Sequence, residues 1–146
     1  MTGAAGRCGP LWLLKYYVGP VLGNNCFFIM YTFLHHTHGA VPHFRAGEWT
    51  RLRGALATID RSYGPWQLLD HLHHRIGSTH VLHHLFSTLP HYHAEEASRA
   101  IRPLLGPYYV RDDTPWPLAL FREFCDNKYV APLPGQSSDI LWFHKM

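Results

Sequence analysis

The stretch Tyr16–Leu34 (YYVGPVLGNNCFFIMYTFL) sets the first limit on how this chain can fold, because it is the most apolar run in the sequence. A helix crossing the hydrocarbon core of a bilayer needs about 20 largely apolar residues, and this run approaches that length. Gly19, Pro20, Gly23, Asn24 and Asn25 weaken it. Two readings stand side by side. One is a spanning helix, with Lys15 snorkelling its ammonium toward a headgroup. The other is a buried helix of a soluble core, broken near Gly19-Pro20. Composition narrows the setting without choosing between them. Hydrophobic residues make up 47% and charged residues 16%, an apolar and charge-poor balance, yet the mean hydropathy is slightly negative. The chain is therefore not a bundle made wholly of membrane spans; one apolar anchor with a polar remainder fits better. A length of 146 residues suits one modest domain. The formal charge of +3, without any Lys/Arg run, excludes nucleic acid as a partner.

The residues before the apolar run, Met1 to Pro10, are small and bland. They do not read as a signal peptide leading into Leu11–Leu14, since Lys15 interrupts the apolar core and no clear cleavage site follows. Cys8, Cys26 and Cys125 are odd in number, widely spaced and without a C-x-x-C pair. That pattern argues against a disulfide framework and for a reducing, cytosol-facing environment.

Beyond His35 the chain turns polar and aromatic, and its patterning is mainly helical. Glu48–Ile59 places Trp49, Leu52, Leu56 and Ile59 at helical spacing. Tyr63-Gly64-Pro65 marks a turn, and Pro65 suits the opening of a second helix with Leu68, Leu69 and Leu72 on its face. A third run, Thr79–Leu89, is stopped by Pro90. Ala94–Leu105 carries acids early (Glu95, Glu96) and bases late (Arg99, Arg102), complementing a helix dipole, with Gly106-Pro107 closing it. Prolines 115, 117, 132 and 134 punctuate the remainder, which ends in a strand-like Ile140–Phe143. No repeat or low-complexity segment is present.

Histidine is the compositional outlier, with 13 residues. All but His144 fall between His35 and His43 or between His71 and His93. Clustering matters more than the count, because a metal site needs several imidazoles converging on one point. In His80-Val81-Leu82-His83-His84 the three histidines occupy positions i, i+3 and i+4, which on a helix project within an arc of about 100°. Such a face is a partial coordination sphere for a first-row transition metal; it is also compatible with a solvated histidine-rich face. Two flanking clusters favour the metal: His35-His36-Thr37-His38 at the end of the apolar run, and His91-Tyr92-His93 directly after the box. Acids nearby are few, unlike the carboxylate-rich di-iron sites of soluble four-helix bundles. The zinc-protease pattern H-E-x-x-H is absent, because Val81 stands where its general base would be. Neither a G-x-S-x-G elbow nor a Gly-rich phosphate loop occurs. A histidine-bound zinc remains an alternative.

The segment from Thr79 through His80-Val81-Leu82-His83-His84-Leu85-Phe86-Ser87-Thr88-Leu89-Pro90-His91-Tyr92-His93 to Ala94 closely resembles the third histidine-box region of delta-12 (omega-6) membrane fatty-acid desaturases. Tyr31–His38, followed by Val41-Pro42-His43-Phe44, resembles the end of that family's last membrane helix, and Arg53–Arg61 is similar to another of its stretches. The resemblance runs from about Tyr17 to Val130. It implies a mainly α architecture: a leader over 1–15, a last transmembrane helix over 16–34, a helical cytosolic histidine-box cap region over 35–130, and a tail over 131–146. It implies the activity too. In this family dioxygen, activated at a histidine-bound di-iron centre, abstracts hydrogens from a methylene pair of an acyl chain and leaves a cis double bond. The implied substrate is a fatty-acyl lipid in a membrane. Electrons come from cytochrome b5 in the endoplasmic reticulum or from ferredoxin in plastids. Carried over, His80, His83 and His84 are expected iron ligands. His36 is expected to supply a further one from the end of the apolar helix, with His38 second in line. His91 and His93 are shared with the family pattern, with a ligand role and a hydrogen-bonding role equally open to them, and His73 and His74 are expected as packing or surface residues.

The delta-12 assignment leans on His36-Thr37-His38 and Leu85-Phe86-Ser87-Thr88; omega-3 desaturases, hydroxylases, conjugases and acetylenases share the scaffold. The family's first two histidine boxes do not occur upstream of residue 35, and His35 and His38 are not such a box. Three or four imidazoles cannot fill the coordination of two irons, so the expectation is a C-terminal part that is catalytically inert by itself, from a truncated gene model or an alternative start. The last five residues, Trp142 to Met146, resemble the aromatic retrieval signals of reticulum desaturases and favour that membrane over the plastid's. A different class of function is a non-catalytic membrane-associated protein that binds a partner desaturase or sequesters metal.

Overall fold

The structure, a computed structural model, describes residues 9–64 and 68–145. The expected leader up to residue 8, the Pro65 turn and the final Met146 lie outside the described residues. The chain divides into two compact units, one within residues 1–32 and the other from Phe33 onward.

In the first unit, Pro10 opens a short helix α1 (Pro10–Leu13), a position where its missing N–H costs nothing. A π-helical turn, Leu14–Val18, follows and runs directly into α2 (Gly19–His36). The expected break at Gly19-Pro20 is thus a widening. The Gly19 amide bonds back to the Leu14 carbonyl, and a Cβ at Gly19 would approach that oxygen to 3.1 Å. Pro20 supplies no N–H and its ring crowds the preceding turn; a π turn immediately ahead accommodates both. Val21, Leu22, Phe27, Phe28 and Ile29 of α2 are exposed. Among the described residues, no helix is long and apolar enough to cross a membrane. Gly19, Gly23, Asn24, Asn25 and the closing His35-His36 dilute the apolar content of α2, and its 18 residues reach only about 27 Å.

The second unit is built of short helices and a small sheet. Helix α3 (Arg51–Leu56) begins at Thr50, whose side chain accepts the Arg53 amide. It ends well before the expected Ile59, because the backbone beyond Ala57 finds other partners. The Thr58 hydroxyl and the Ile59 amide both donate to the His35 carbonyl, at 3.0 and 3.2 Å, and the Asp60 amide donates to the Val110 carbonyl at 3.0 Å. Helix α4 (Leu68–Leu72) leaves Leu68 and Leu72 exposed. Helix α5 (His80–Leu85) carries the histidine box and stops at Phe86, short of Pro90. Helix α6 (His91–Leu105) starts three residues before the expected Ala94, with Pro90 at its N-cap, and closes on Gly106, whose φ of 51° suits glycine. A 3₁₀ turn (Gly106–Tyr108) and α7 (Trp116–Asp126) follow.

Strands β1 (His43–Phe44), β2 (Tyr129–Ala131) and β3 (Ile140–His144) form an antiparallel sheet in the order β1-β3-β2. Phe44 pairs with Ile140, and Val130 with Phe143. The strand expected at Ile140–Phe143 is therefore its centre. Among the described residues, Leu34, Val41, Ile59, Tyr63, Val81, Leu82 and Ala119 are the buried apolar ones. Val81 and Leu82 pin the inner face of α5, which leaves its histidines to point elsewhere. The architecture is mainly helical.

Candidate metal centre

Three of the expected ligands converge. His36, at the C-terminal end of α2, meets His80 and His84 of α5, and one ring nitrogen from each lies within 4.8 Å of the others. The Nε2 atoms of His36 and His80 are 3.3 Å apart, and those of His80 and His84 are 3.2 Å apart. Local geometry explains the pairing on α5: residues four apart fall about 40° apart around a helix, one turn above each other. His83 lies about 100° from His84 on the same wheel, and its ring is exposed, 5.8 Å from that of His80 and 5.9 Å from that of His84. It lines a cavity of about 60 Å³ with His74, Phe86 and His91. The nitrogen triad thus takes in His36, His80 and His84, and His83 stands outside it.

The backbone ahead of Asp60 holds the α2 histidines. The His36 Nδ1–H donates to the Ala57 carbonyl at 3.2 Å, and His35 Nδ1–H donates to the Ile59 carbonyl at 2.6 Å. The first bond fixes the tautomer of His36 with the Nε2 lone pair turned toward His80. Burial, reinforced by the neighbouring imidazoles of His35, His84, His36 and His83, holds the His80 ring far below the usual histidine range. Burial, then His36 and His83, lowers His84 to about 4. Burial lowers His35 to about 3 against the opposing bond to Ile59, and its ring centroid sits 4.1 Å from that of His80. Neutral imidazoles are the ligand-competent form.

The arrangement fits a first-row metal ion. Adjacent imidazole nitrogens around one ion bonded at roughly 2.1 Å are separated by about 3–3.4 Å, the spacing seen here. His80 Nδ1 is buried without a hydrogen-bond partner among the described residues. His80 Nε2 faces two other ring nitrogens, and a ring nitrogen carries at most one N–H, so hydrogen bonding between neutral rings satisfies only one of the two contacts.

His38 goes elsewhere. Its Nε2 lies 3.5 Å from Asp112 Oδ2 and 3.8 Å from Glu123 Oε1. This second grouping could hold a cation by geometry alone, but its charges are already matched. Buried Arg61 reaches Asp112 at 3.0 Å and Glu123 at 3.9 Å, and Arg122 contacts both carboxylates. It reads as a structural ion-pair network. His91 and His93 are exposed in the first turn of α6; His91 packs against His74 at 4.4 Å, and His93 lies 3.7 Å from Glu96. Neither touches the triad.

Sequence reasoning passed over two contributors. His35 had no role of its own beyond membership of its cluster, yet it is fully buried beside His80. Asp60 carried no motif, yet it is fully buried and accepts the Val81 amide at 2.8 Å in the first turn of α5. Its place within the family-like Arg53–Arg61 stretch, directly after Ile59, was the available signal. A larger apolar groove, about 790 Å³, opens between Phe44, Leu52, Leu104, Tyr108, Ile140 and Trp142; none of the three histidines lines it.

The family model described as fatty acid desaturase matches residues 1–116. A delta(12)-oleate desaturase of Trichosanthes kirilowii is 47% identical over 94% of this chain and 37% of its own length. An endoplasmic reticulum omega-6 fatty acid desaturase of Glycine max is 51% identical over 92% of this chain and 34% of its own. An oleoyl-12-hydroxylase of Ricinus communis is 46% identical over the same shares. The chain spans about a third of the length of these curated relatives. No solved structure matches it.

Proposed function

Since the chain belongs to the fatty acid desaturase family, we propose that it is the C-terminal part of a membrane desaturase of the delta-12/omega-6 type, introducing a cis double bond into a fatty-acyl lipid. The observation that carries this reading is the convergence of His36, His80 and His84, with His80 Nε2 at 3.3 Å from that of His36 and 3.2 Å from that of His84. His36, His80 and His84 would hold iron, and His83 would join them only by rotating its exposed ring inward or by serving a second ion. Bound iron would supply the dioxygen chemistry that removes hydrogen from an unactivated methylene. The chain's own residues do the holding: Ala57 fixes the His36 tautomer, and Val81 and Leu82 anchor α5. Three nitrogens fill half an octahedral sphere, so two irons need ligands beyond this triad, and the chain by itself is proposed to be inactive.

The same reading assigns the exposed apolar side chains of residues 16–34 to a membrane, with 1–15 ahead of it, 35–130 as the cytosolic histidine-box region and 131–146 as a tail. The endoplasmic reticulum is favoured, with cytochrome b5 as electron donor; ferredoxin would take that role in a plastid. A second outcome, hydroxylation, is favoured by one observation, the near-equal identity to the oleoyl-12-hydroxylase.

A chimera tests the proposal. The corresponding C-terminal third of a delta-12 relative is replaced by this chain, and the host's fatty acids are profiled by gas chromatography. Dienoic product that disappears with His80→Ala supports the reading, whereas hydroxylated product would shift it to the hydroxylase. The 146-residue chain expressed alone is expected to give neither; desaturation by it would overturn the claim of an incomplete site. Near-stoichiometric zinc without iron in the purified protein would count against a di-iron site.

A further inference from the structure

The two histidine-bearing helices share one ruler. Over four consecutive residues, the backbone segment after α3 touches both of them. Ala57 accepts from His36, Thr58 donates to the His35 carbonyl, Ile59 accepts from His35, and Asp60 accepts from Val81. The last contact is the one that reaches α5. That helix lacks a cap of its own: Thr79, at its N-cap position, makes no capping bond and instead donates its hydroxyl to Arg75. Among the described residues, the orphan amide of Val81 is satisfied by the Asp60 carboxylate.

Asp60 is itself immobilised. Its second oxygen accepts from the Tyr109 hydroxyl at 2.8 Å and from Arg102 at 3.4 Å, and its backbone is held by Val110 and Asp112 at 3.0 and 3.1 Å. A fully buried carboxylate costs several kcal/mol of desolvation unless paired and hydrogen-bonded. A neutral serine or asparagine cap would satisfy one amide more cheaply. The carboxylate does more, since it ties the start of α5 to the same backbone segment that sets the rings of α2.

We infer that Asp60 is a positioning residue of the imidazole site: by capping α5 from the Ala57–Asp60 segment, its carboxylate sets the separation between His80 and His36. This rests on the metal reading of the triad. It touches no reacting atom; it acts through Val81 on the neighbouring His80.

The test uses the full 146-residue chain in detergent micelles, titrated with Co(II) alone and followed by its visible ligand-field absorption, with far-UV circular dichroism and melting temperature recorded in parallel. Wild-type binding that His80→Ala abolishes establishes the triad as the site. Absence of binding, or binding indifferent to His80→Ala, overturns the metal reading and this inference with it. Given that site, Asp60→Ala in a folded chain is expected to weaken Co(II) binding about tenfold or more and to alter the spectrum. Asp60→Asn, which keeps an acceptor for the Val81 amide, is expected to restore both. Thr50→Ala removes the cap of α3 and touches neither Asp60 nor the imidazoles; it should lower the melting temperature and leave the affinity unchanged. A folded Asp60→Ala chain with wild-type affinity overturns the inference alone, and so does an affinity that merely tracks melting temperature through Thr50→Ala. Should Asp60→Ala fail to fold, Asp60→Glu carries the test. It retains charge and acceptor on a longer arm, and unchanged affinity in the folded Glu variant overturns the inference.

Discussion

Gly77 shows how little freedom single residues near the box have. Its φ needs no glycine, but a Cβ there would stand 2.6 Å from a Tyr63 ring carbon and 2.9 Å from the Arg61 carbonyl oxygen. That carbonyl belongs to a backbone held in place, since the Arg61 amide donates to the Gly77 carbonyl at 2.9 Å. Tyr63 is fully buried and has no room to withdraw. Gly77→Ala is therefore expected to destabilise the fold by about 1–3 kcal/mol, the usual cost of overpacking a filled core, measured as a lowered urea midpoint. An unchanged midpoint would mean that this corner of the core is looser than its contacts imply.

At the scale of elements, the short helices of the second unit differ in how their ends are secured. Helix α3 carries its own cap, Thr50, with a bond of 3.2 Å to the Arg53 amide. Helix α5 borrows its cap from Asp60, some twenty residues upstream in sequence. Thr50→Ala should then cost about 0.5–2 kcal/mol, and Thr50→Ser should restore most of it. Thermal unfolding monitored by circular dichroism distinguishes the two; equal losses for Ala and Ser would show that the methyl group, not the hydroxyl, matters. Helices of six residues have little stability alone, so their persistence depends on such ends and on tertiary packing, as in the burial of Val81 and Leu82 of α5.

For the second unit as a whole, the cluster of His38, Arg61, Asp112, Arg122 and Glu123 joins the end of α2, the Asp112 loop and α7. Asn127, at the end of α7, adds a bond of 2.9 Å to the Thr37 carbonyl. Burial pushes the Asp112 carboxyl up, but the Thr114 hydroxyl and amide, then Arg122 and Arg61, outweigh it and hold the group below the ordinary carboxylate range. A depressed folded value means stability that is present above the unfolded value of about 3.9 and lost as pH falls through the folded one. The opposite sign applies to Asp60 and Asp70, which burial raises; protonating them does not oppose folding. Melting temperatures of the wild type and Asp112→Asn are thus expected to differ most near pH 5 and above, and the gap to narrow progressively once pH falls below about 3.9. A constant gap would assign the loss to hydrogen bonding rather than to charge.

What the sequence determined by itself was local and chemical. The i, i+3, i+4 histidines of α5, the amphipathic α6 and the strand at Ile140 all follow from spacing along the chain, and the dense resemblance around His80–His93 carried the family. Helix ends were less legible. The end of α3 at Leu56 depends on carbonyls of His35 and Val110, which no window of sequence contains. The resemblance already set His36 beside the box; tertiary structure alone decided the ring contacts within that set. It brought His36 and His84 to His80, turned His83 outward and sent His38 to an ion-pair network, because ring orientation follows helix phase and the bonds made by Ala57 and Asp60. Those bonds join residues separated by about twenty positions or more, and their geometry exists only once the chain has folded.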